Sequence, residues 1–214
     1  MSRVITFIYA VLAGLSIAIG GTVFLAIDNK VIGAVFFTVG LFIIVTLGCN
    51  LFTGKVCYIF EKDREFLIGV PIIWLGNFVG AWGGAALIRL TRVAPPLIEK
   101  AASLCQAKLN DNLLSIFILA IFCNILIYIA VENFNANDHE VGKYIALFLG
   151  VPVFILCGFE HCVANMFYFS MAGMITGKSL LYLVVMSLGN SVGGWVFPVA
   201  RLYKNKMLKN TVKA

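Results

Sequence analysis

Leu75-Gly76-Asn77-Phe78-Val79-Gly80-Ala81-Trp82 returns as Leu188-Gly189-Asn190-Ser191-Val192-Gly193-Gly194-Trp195, with the leucine, the asparagine, the valine, the tryptophan and both spaced glycines unchanged. A weaker echo lies upstream of each copy, Asn50-Leu51-Phe52 and Asn165-Met166-Phe167. The chain therefore reads as one unit written twice. Both copies lie in apolar surroundings, so the unit is a set of membrane spans. Paired spans with matching interruptions are a common plan for pores and transporters, whose substrate passes between the halves.

Working outward, 61% of the 214 residues are hydrophobic and 12% are charged. A water-soluble domain needs far more surface charge, which excludes that class. The net charge of +6 does not point to nucleic acid. Its lysines and arginines fall at span ends and in the tail from Arg201 to Lys213, where lipid headgroups account for them. Six cysteines, none in a C-x-x-C pair, read as reduced packing residues. With only His139 and His161 as imidazoles, neither a metal site nor paired haem ligation is expected, and no cofactor is assigned.

Apolar segments run at about 4–27, 31–60, 66–90, 113–131, 142–175 and 179–202. Each reaches the roughly 20 residues of a bilayer crossing, and the first reads as a retained span. The expectation is an all-α membrane protein with six spans. Three spans per copy force the second copy to enter from the opposite side, an inverted 3+3 repeat. The boundaries are repeat one at about 1–92, a linker at about 93–112, repeat two at about 113–202 and a basic tail at 203–214, all within one transmembrane pore domain. With the N-terminus inside, ten lysines and arginines fall on the cytoplasmic side and six outside, which favours cytoplasmic termini. In the linker, Pro95-Pro96 precedes a stretch suited to an amphipathic surface helix.

The second and fifth segments exceed one crossing. Each contains glycine where it can break: Gly48 before Asn50 to Gly54, and Gly158 before Glu160 to Asn165. Broken helices are preferred to tilted continuous ones, because non-helical backbone at membrane depth is tolerated where it lines a cavity. The free N–H groups of a half-helix would favour an anion there. The duplicated asparagines sit in Gly-x-x-x-Gly packing motifs, and act either as interhelical glue or as support and lining for the breaks.

Glu160-His161 is the pair most able to carry chemistry, since ionisable groups inside spans are costly and are functional candidates. A histidine can hydrogen-bond an anion, give it a proton, or stay a neutral donor. Glu160 is expected to face backbone amides or a subunit boundary, because a lumenal carboxylate would repel anions. Thr53 can hold the histidine tautomer, touch a permeant species, or bond its own helix backbone. Phe37, Leu41 and Phe154 have helical spacing that by itself means packing. Thr176-Gly177-Lys178-Ser179 lacks the first glycine and the strand of a P-loop, and Ser170 has no G-x-S-x-G elbow.

Asn50-Leu51-Phe52-Thr53-Gly54, Cys123-Asn124, Gly158 through Met166 and Leu188-Gly189-Asn190 together resemble the formate/nitrite transporter family, over essentially the whole chain. The resemblance implies an aquaporin-like fold, a homopentamer in the bilayer and a pore in every subunit. The substrates it implies are small monovalent anions (formate, nitrite or hydrosulfide), with protons as further partners. It casts His161 as the central pore histidine and Thr53 as its partner. Leu41, Leu51 and Phe52 look like one constriction, and Phe37 and Phe154 like the other. Lys108 resembles a lysine that draws anions inward, and Asn124 and Asn190 resemble residues lining or supporting the pore. The chain departs from the family pattern in starting its first span almost at Met1, without an amphipathic N-terminal helix, and in carrying Asn50 where many members have an acid. The resemblance further implies transport rather than catalysis, in the inner membrane of a prokaryote. The alternatives are a water or neutral-solute channel and a membrane-embedded redox subunit.

Overall fold

The computed structural model describes residues 2–211; Met1 and the last three residues of the expected basic tail, 212–214, lie outside it. The described residues form helices and turns with no strand. In chain order these are α1 (Arg3–Ala26), α2 (Lys30–Thr46), α3 (Phe52–Lys55) with a 3₁₀ turn (Val56–Tyr58), α4 (Arg64–Arg89), α5 (Ala94–Leu109), α6 (Leu113–Ala136), α7 (Glu140–Leu156), α8 (Cys162–Ala172) and α9 (Gly177–Thr211). Polar residues at the starts are used as caps. Asn29 Oδ1 accepts from Val31 and Ile32 N–H, Asp63 from Phe66 N–H and Asn112 from Ser115 N–H. Thr176 and Ser179, from the string that mimics a P-loop, exchange hydrogen bonds at the start of α9.

Where hydropathy leads one to expect six spans, four helices are each long and apolar enough to cross a membrane: α1, α4, α6 and α9. The stretches 31–60 and 142–175 are each divided between two helices. Helix α9 runs on to Thr211, past the expected end of the last span at 202. The linker does form a helix, α5, with its prolines in the first turn. It is amphipathic as expected: Leu97, Ala101 and Cys105 are buried, with the helix packed on α8, while Pro96, Glu99, Ser103 and Gln106 are exposed.

Helices α1 and α4 form one close pair, and α6 and α9 another. Lipid tails give apolar helices no hydrophobic reason to associate, so close backbone approach has to supply the attraction. The duplicated glycines allow it. A Cβ on Gly80 would lie 2.0 Å from Val11 O, and one on Gly193 would lie 2.1 Å from Ile121 O. The helices must separate to admit either methyl group. Gly193→Ala is expected to destabilise the protein by about 2 kcal/mol or more, seen as a lower melting temperature in detergent. By contrast Gly83 has open space around its missing Cβ, and Gly83→Ala should melt as the native chain does.

Helices α2 and α7 end in the same way. Gly48 and Gly158 take φ values of +66° and +72°, in the left-handed region open to glycine. The next residue folds back: Cys49 N–H donates to Ile44 O at 2.9 Å, and Phe159 N–H to Phe154 O at 2.9 Å. This closure satisfies the orphan carbonyls of a helix end. It also turns the chain toward the middle of the molecule.

Candidate functional site

Between each of these helix ends and the next helix runs a short extended segment with buried backbone polar groups that must find partners. The duplicated asparagines provide them. Asn77 Oδ1 accepts from Phe52 N–H at 2.8 Å, while its Nδ2 donates to Asn50 O and to Ala10 O. Asn190 Oδ1 accepts from Cys162 N–H at 2.9 Å, while its Nδ2 donates to Glu160 O and to Ala120 O. Asn50 N–H is taken by Tyr9 O, and Glu160 N–H by Leu119 O. Both asparagines are fully buried, and each ties one segment to the two helices beside it.

These bonds fix the register between the two breaks. Asn50 corresponds to Glu160, Leu51 to His161, and Phe52 to Cys162, a constant offset of 110, against 113 between Asn77 and Asn190 themselves. The sequence echo of Asn50-Leu51-Phe52 with Asn165-Met166-Phe167 is therefore a coincidence. Asn165 corresponds to Lys55.

His161 and Thr53, from opposite halves, meet at the centre. Thr53 Oγ1 lies 3.0 Å from His161 Nε2, with both residues buried. His161 also caps α8, its Nδ1 accepting from Ala164 N–H at 3.1 Å. A ring nitrogen that accepts carries no proton, so the neutral ring is protonated at Nε2 and donates to Thr53 Oγ1. The Thr53 hydroxyl hydrogen is then left for a further acceptor. The N–H groups of Cys162 and Ala164 are already taken by Asn190 and His161. The start of α8 therefore does not offer them to an anion. The ring stacks on Phe154, centroids 5.7 Å apart, and Phe154 meets Phe37 edge-on at 6.1 Å.

A small chamber opens on each side of this centre. One, of about 120 Å³, is walled by His161, Phe154, Phe24, Tyr168, Lys30 and Lys108 among others. The second, of about 90 Å³, is walled by Leu41, Leu51, Cys49, Val131, Asn135 and Lys55 among others. Of the residues singled out in the sequence, Leu41 and Leu51 thus line one chamber, and Phe154, His161 and Lys108 the other. Phe37 and Phe52 are buried beside them without lining either. Asn124 sits behind the centre: its Nδ2 donates to Thr53 O at 3.0 Å and to Asn190 O at 2.7 Å. Asn124 and Asn190 therefore hold the backbone that presents Thr53 and His161.

Lys108 and Glu160 are paired with each other. The Lys108 ammonium lies 2.7 and 2.8 Å from the two carboxylate oxygens of Glu160, and Asn165 Nδ2 adds a third bond at 2.8 Å. It is Glu160 that departs from expectation, since it is buried against Lys108 and Asn165 rather than facing backbone amides or a subunit boundary. The partners come from α5 and from the turn before α8, 52 residues apart. A Glu-His pair five and four residues before Asn165 in the sequence carries a hint of the Glu160–Asn165 bond. Nothing local points to Lys108. Lys30 and Lys55 are not flagged by the sequence reading, whereas Asn77 is, as the duplicate of Asn190.

A profile of the formate/nitrite transporter family matches residues 1–204. The chain belongs to that family and is an integral membrane protein. Among its relatives, uncharacterized transporter YrhG of Bacillus subtilis is 34% identical over 185 residues, which are 79% of this chain and 69% of that one. Formate channel FocA of Haemophilus influenzae is 28% identical over 158 residues, 69% of this chain and 55% of that one. The chain thus spans little more than half of that relative. A solved pentameric formate channel with formate bound superposes with a TM-score of 0.81 at 26% identity, covering 96% of this chain and 98% of the other.

Proposed function

We propose that this chain forms a channel for small monovalent anions, formate or nitrite and also hydrosulfide, with one passage through each subunit. The observation that carries the reading is the His161–Thr53 contact, a buried polar pair between two small chambers. Family membership and the likeness to a formate channel agree with it. Transport rather than catalysis is the role.

The fold reading that goes with this is an inverted 3+3 repeat with spans two and five broken, six crossings in one pore domain. The constant offset of 110 between the helix ends, and the like bonding of Asn77 and Asn190, support it. A pentamer in the inner membrane of a prokaryote with cytoplasmic termini completes it, and places the Leu51 chamber toward the cytoplasm.

An anion stripped of water in an apolar slot is costly. The centre lowers that cost by donation. His161 Nε2–H holds the Thr53 oxygen, and the Thr53 hydroxyl offers its hydrogen to the anion. Asn124 and Asn190 keep both groups in place. The aromatic pair Phe37 and Phe154 on one side, and Leu41, Leu51 and Phe52 on the other, exclude water. A proton travels with the anion only by a different route, in which the ring becomes an imidazolium. Protonating Nδ1 would oppose the Ala164 N–H it now accepts from. The neutral donor is therefore the preferred state.

Flux of formate, nitrite and hydrosulfide into proteoliposomes over a range of pH tests the reading. Uptake above empty vesicles, with mutual competition among the anions, is expected. Passage of glycerol or water in place of anions would select the neutral-solute alternative.

A further inference from the structure

The walls of the two chambers correspond under the offset of 110: Gly48 with Gly158, Leu51 with His161, Lys55 with Asn165. Their charges do not. In the second half Asn165 donates to the Glu160 carboxylate, and that carboxylate also holds Lys108. In the first half the corresponding positions are Lys55 and Asn50, an ammonium and a neutral amide. The Asn50 amide is turned to α1, where it donates to Thr6 O.

Lys55 takes part in no ion pair among the described residues. The nearest candidates are otherwise engaged, although both share a neighbouring groove with Lys55. Asp63 caps α4, and Glu65 faces Arg3 at 3.8 Å. Lys55 is half-buried and lines the Leu51 chamber, where Leu41, Leu51 and Val131 supply the apolar part of the wall and Asn135 stands with it among the polar groups. Low-dielectric walls focus the field of such a charge and raise the local concentration of counter-ions.

We propose that Lys55 draws the permeant anion into the Leu51 chamber and sets how the channel saturates from that side. The inference rests on the transport reading above and deepens it. Of the two lysines walling the other chamber, Lys108 is neutralised by Glu160 and Lys30 is exposed, its ammonium donating to Leu156 O, so the two mouths treat an anion differently. Lys55 acts as a recruiting charge, so a neutral solute gains nothing from it.

The test measures formate flux in oriented proteoliposomes, from each side separately. At low ionic strength Lys55→Gln is expected to raise the half-saturating formate concentration about threefold or more on the Leu51 side, with little change on the His161 side. The difference should fade toward about 0.5 M salt as screening takes over. Lys55→Arg should behave as the native chain. Asn50→Glu provides an independent arm. A carboxylate at 50 would face Lys55 as Glu160 faces Asn165, so this variant should show the same one-sided loss with Lys55 intact. If Lys55→Gln does not assemble, Asn50→Glu and Lys55→Arg carry the test. Native saturation of Lys55→Gln from both sides would overturn the proposal. So would an equal change from both sides that ignores salt, or an Asn50→Glu channel with native behaviour. Absence of anion flux through the native protein would overturn the transport reading instead.

Discussion

Replacing His161 with phenylalanine is expected to cut formate flux tenfold or more, equivalent to about 1.4 kcal/mol added to the barrier. Two bonds go with the ring: Nε2–H to Thr53 and Ala164 N–H to Nδ1. The second is a helix cap, whose loss costs about 1 kcal/mol of stability. Loss of flux in this variant alone is therefore ambiguous. His161→Asn resolves it, because asparagine is among the best N-cap residues and its Oδ1 can accept from Ala164 N–H. An asparagine committed to that cap through Oδ1 has only the shorter Nδ2 left, which stops short of where the imidazole Nε2 meets Thr53. The asparagine variant should melt close to the native protein while its flux falls and its pH profile changes. Flux measured over pH beside thermal unfolding in detergent checks both. Native flux at every pH in the asparagine variant would remove the imidazole from the mechanism.

The ease of reading this chain differs from one feature to the next, for physical reasons. The all-helical membrane character lies in composition, and the family lies in a few dense strings. The duplicated asparagines are legible because identical residues do identical work. Asn77 and Asn190 each satisfy three backbone groups in a chain reversal that has no water to turn to. Their surroundings are less legible. The true register between the two breaks is carried by hydrogen bonds and two left-handed glycines, not by residue likeness, so the Asn50 and Asn165 strings align falsely. The Lys108–Glu160 pair joins distant segments through side chains, and hydropathy cannot see it. The amphipathic pattern of α5 is legible, but that its apolar stripe meets α8 is not. Lys55 could be weighed only once the register was known, because its meaning depends on Asn50 lacking the charge that Glu160 has.

The Lys108–Glu160 pair carries the second large expectation. Their side chains are 16% and 4% exposed, so each neutralises the other in a setting with little water. Removing one partner of such a pair costs about 3–5 kcal/mol, because the other charge stays buried and uncompensated. Lys108→Met should therefore lower the melting temperature by roughly 6–20 °C for a chain of this size. The double variant Lys108→Met with Glu160→Gln should recover much of that loss, since the glutamine can still accept from Asn165. Glu160→Gln alone bears on transport as well. It leaves Lys108 as an unpaired ammonium beside the His161 chamber, in the condition that Lys55 holds on the opposite side. Formate should then half-saturate the channel at lower concentration from the His161 side, and this gain should vanish when Lys108→Met is added. If Glu160→Gln and Lys108→Met instead shifted saturation in the same direction, Lys108 would be acting on the anion while still paired, and charge neutralisation could not explain the difference between the two mouths.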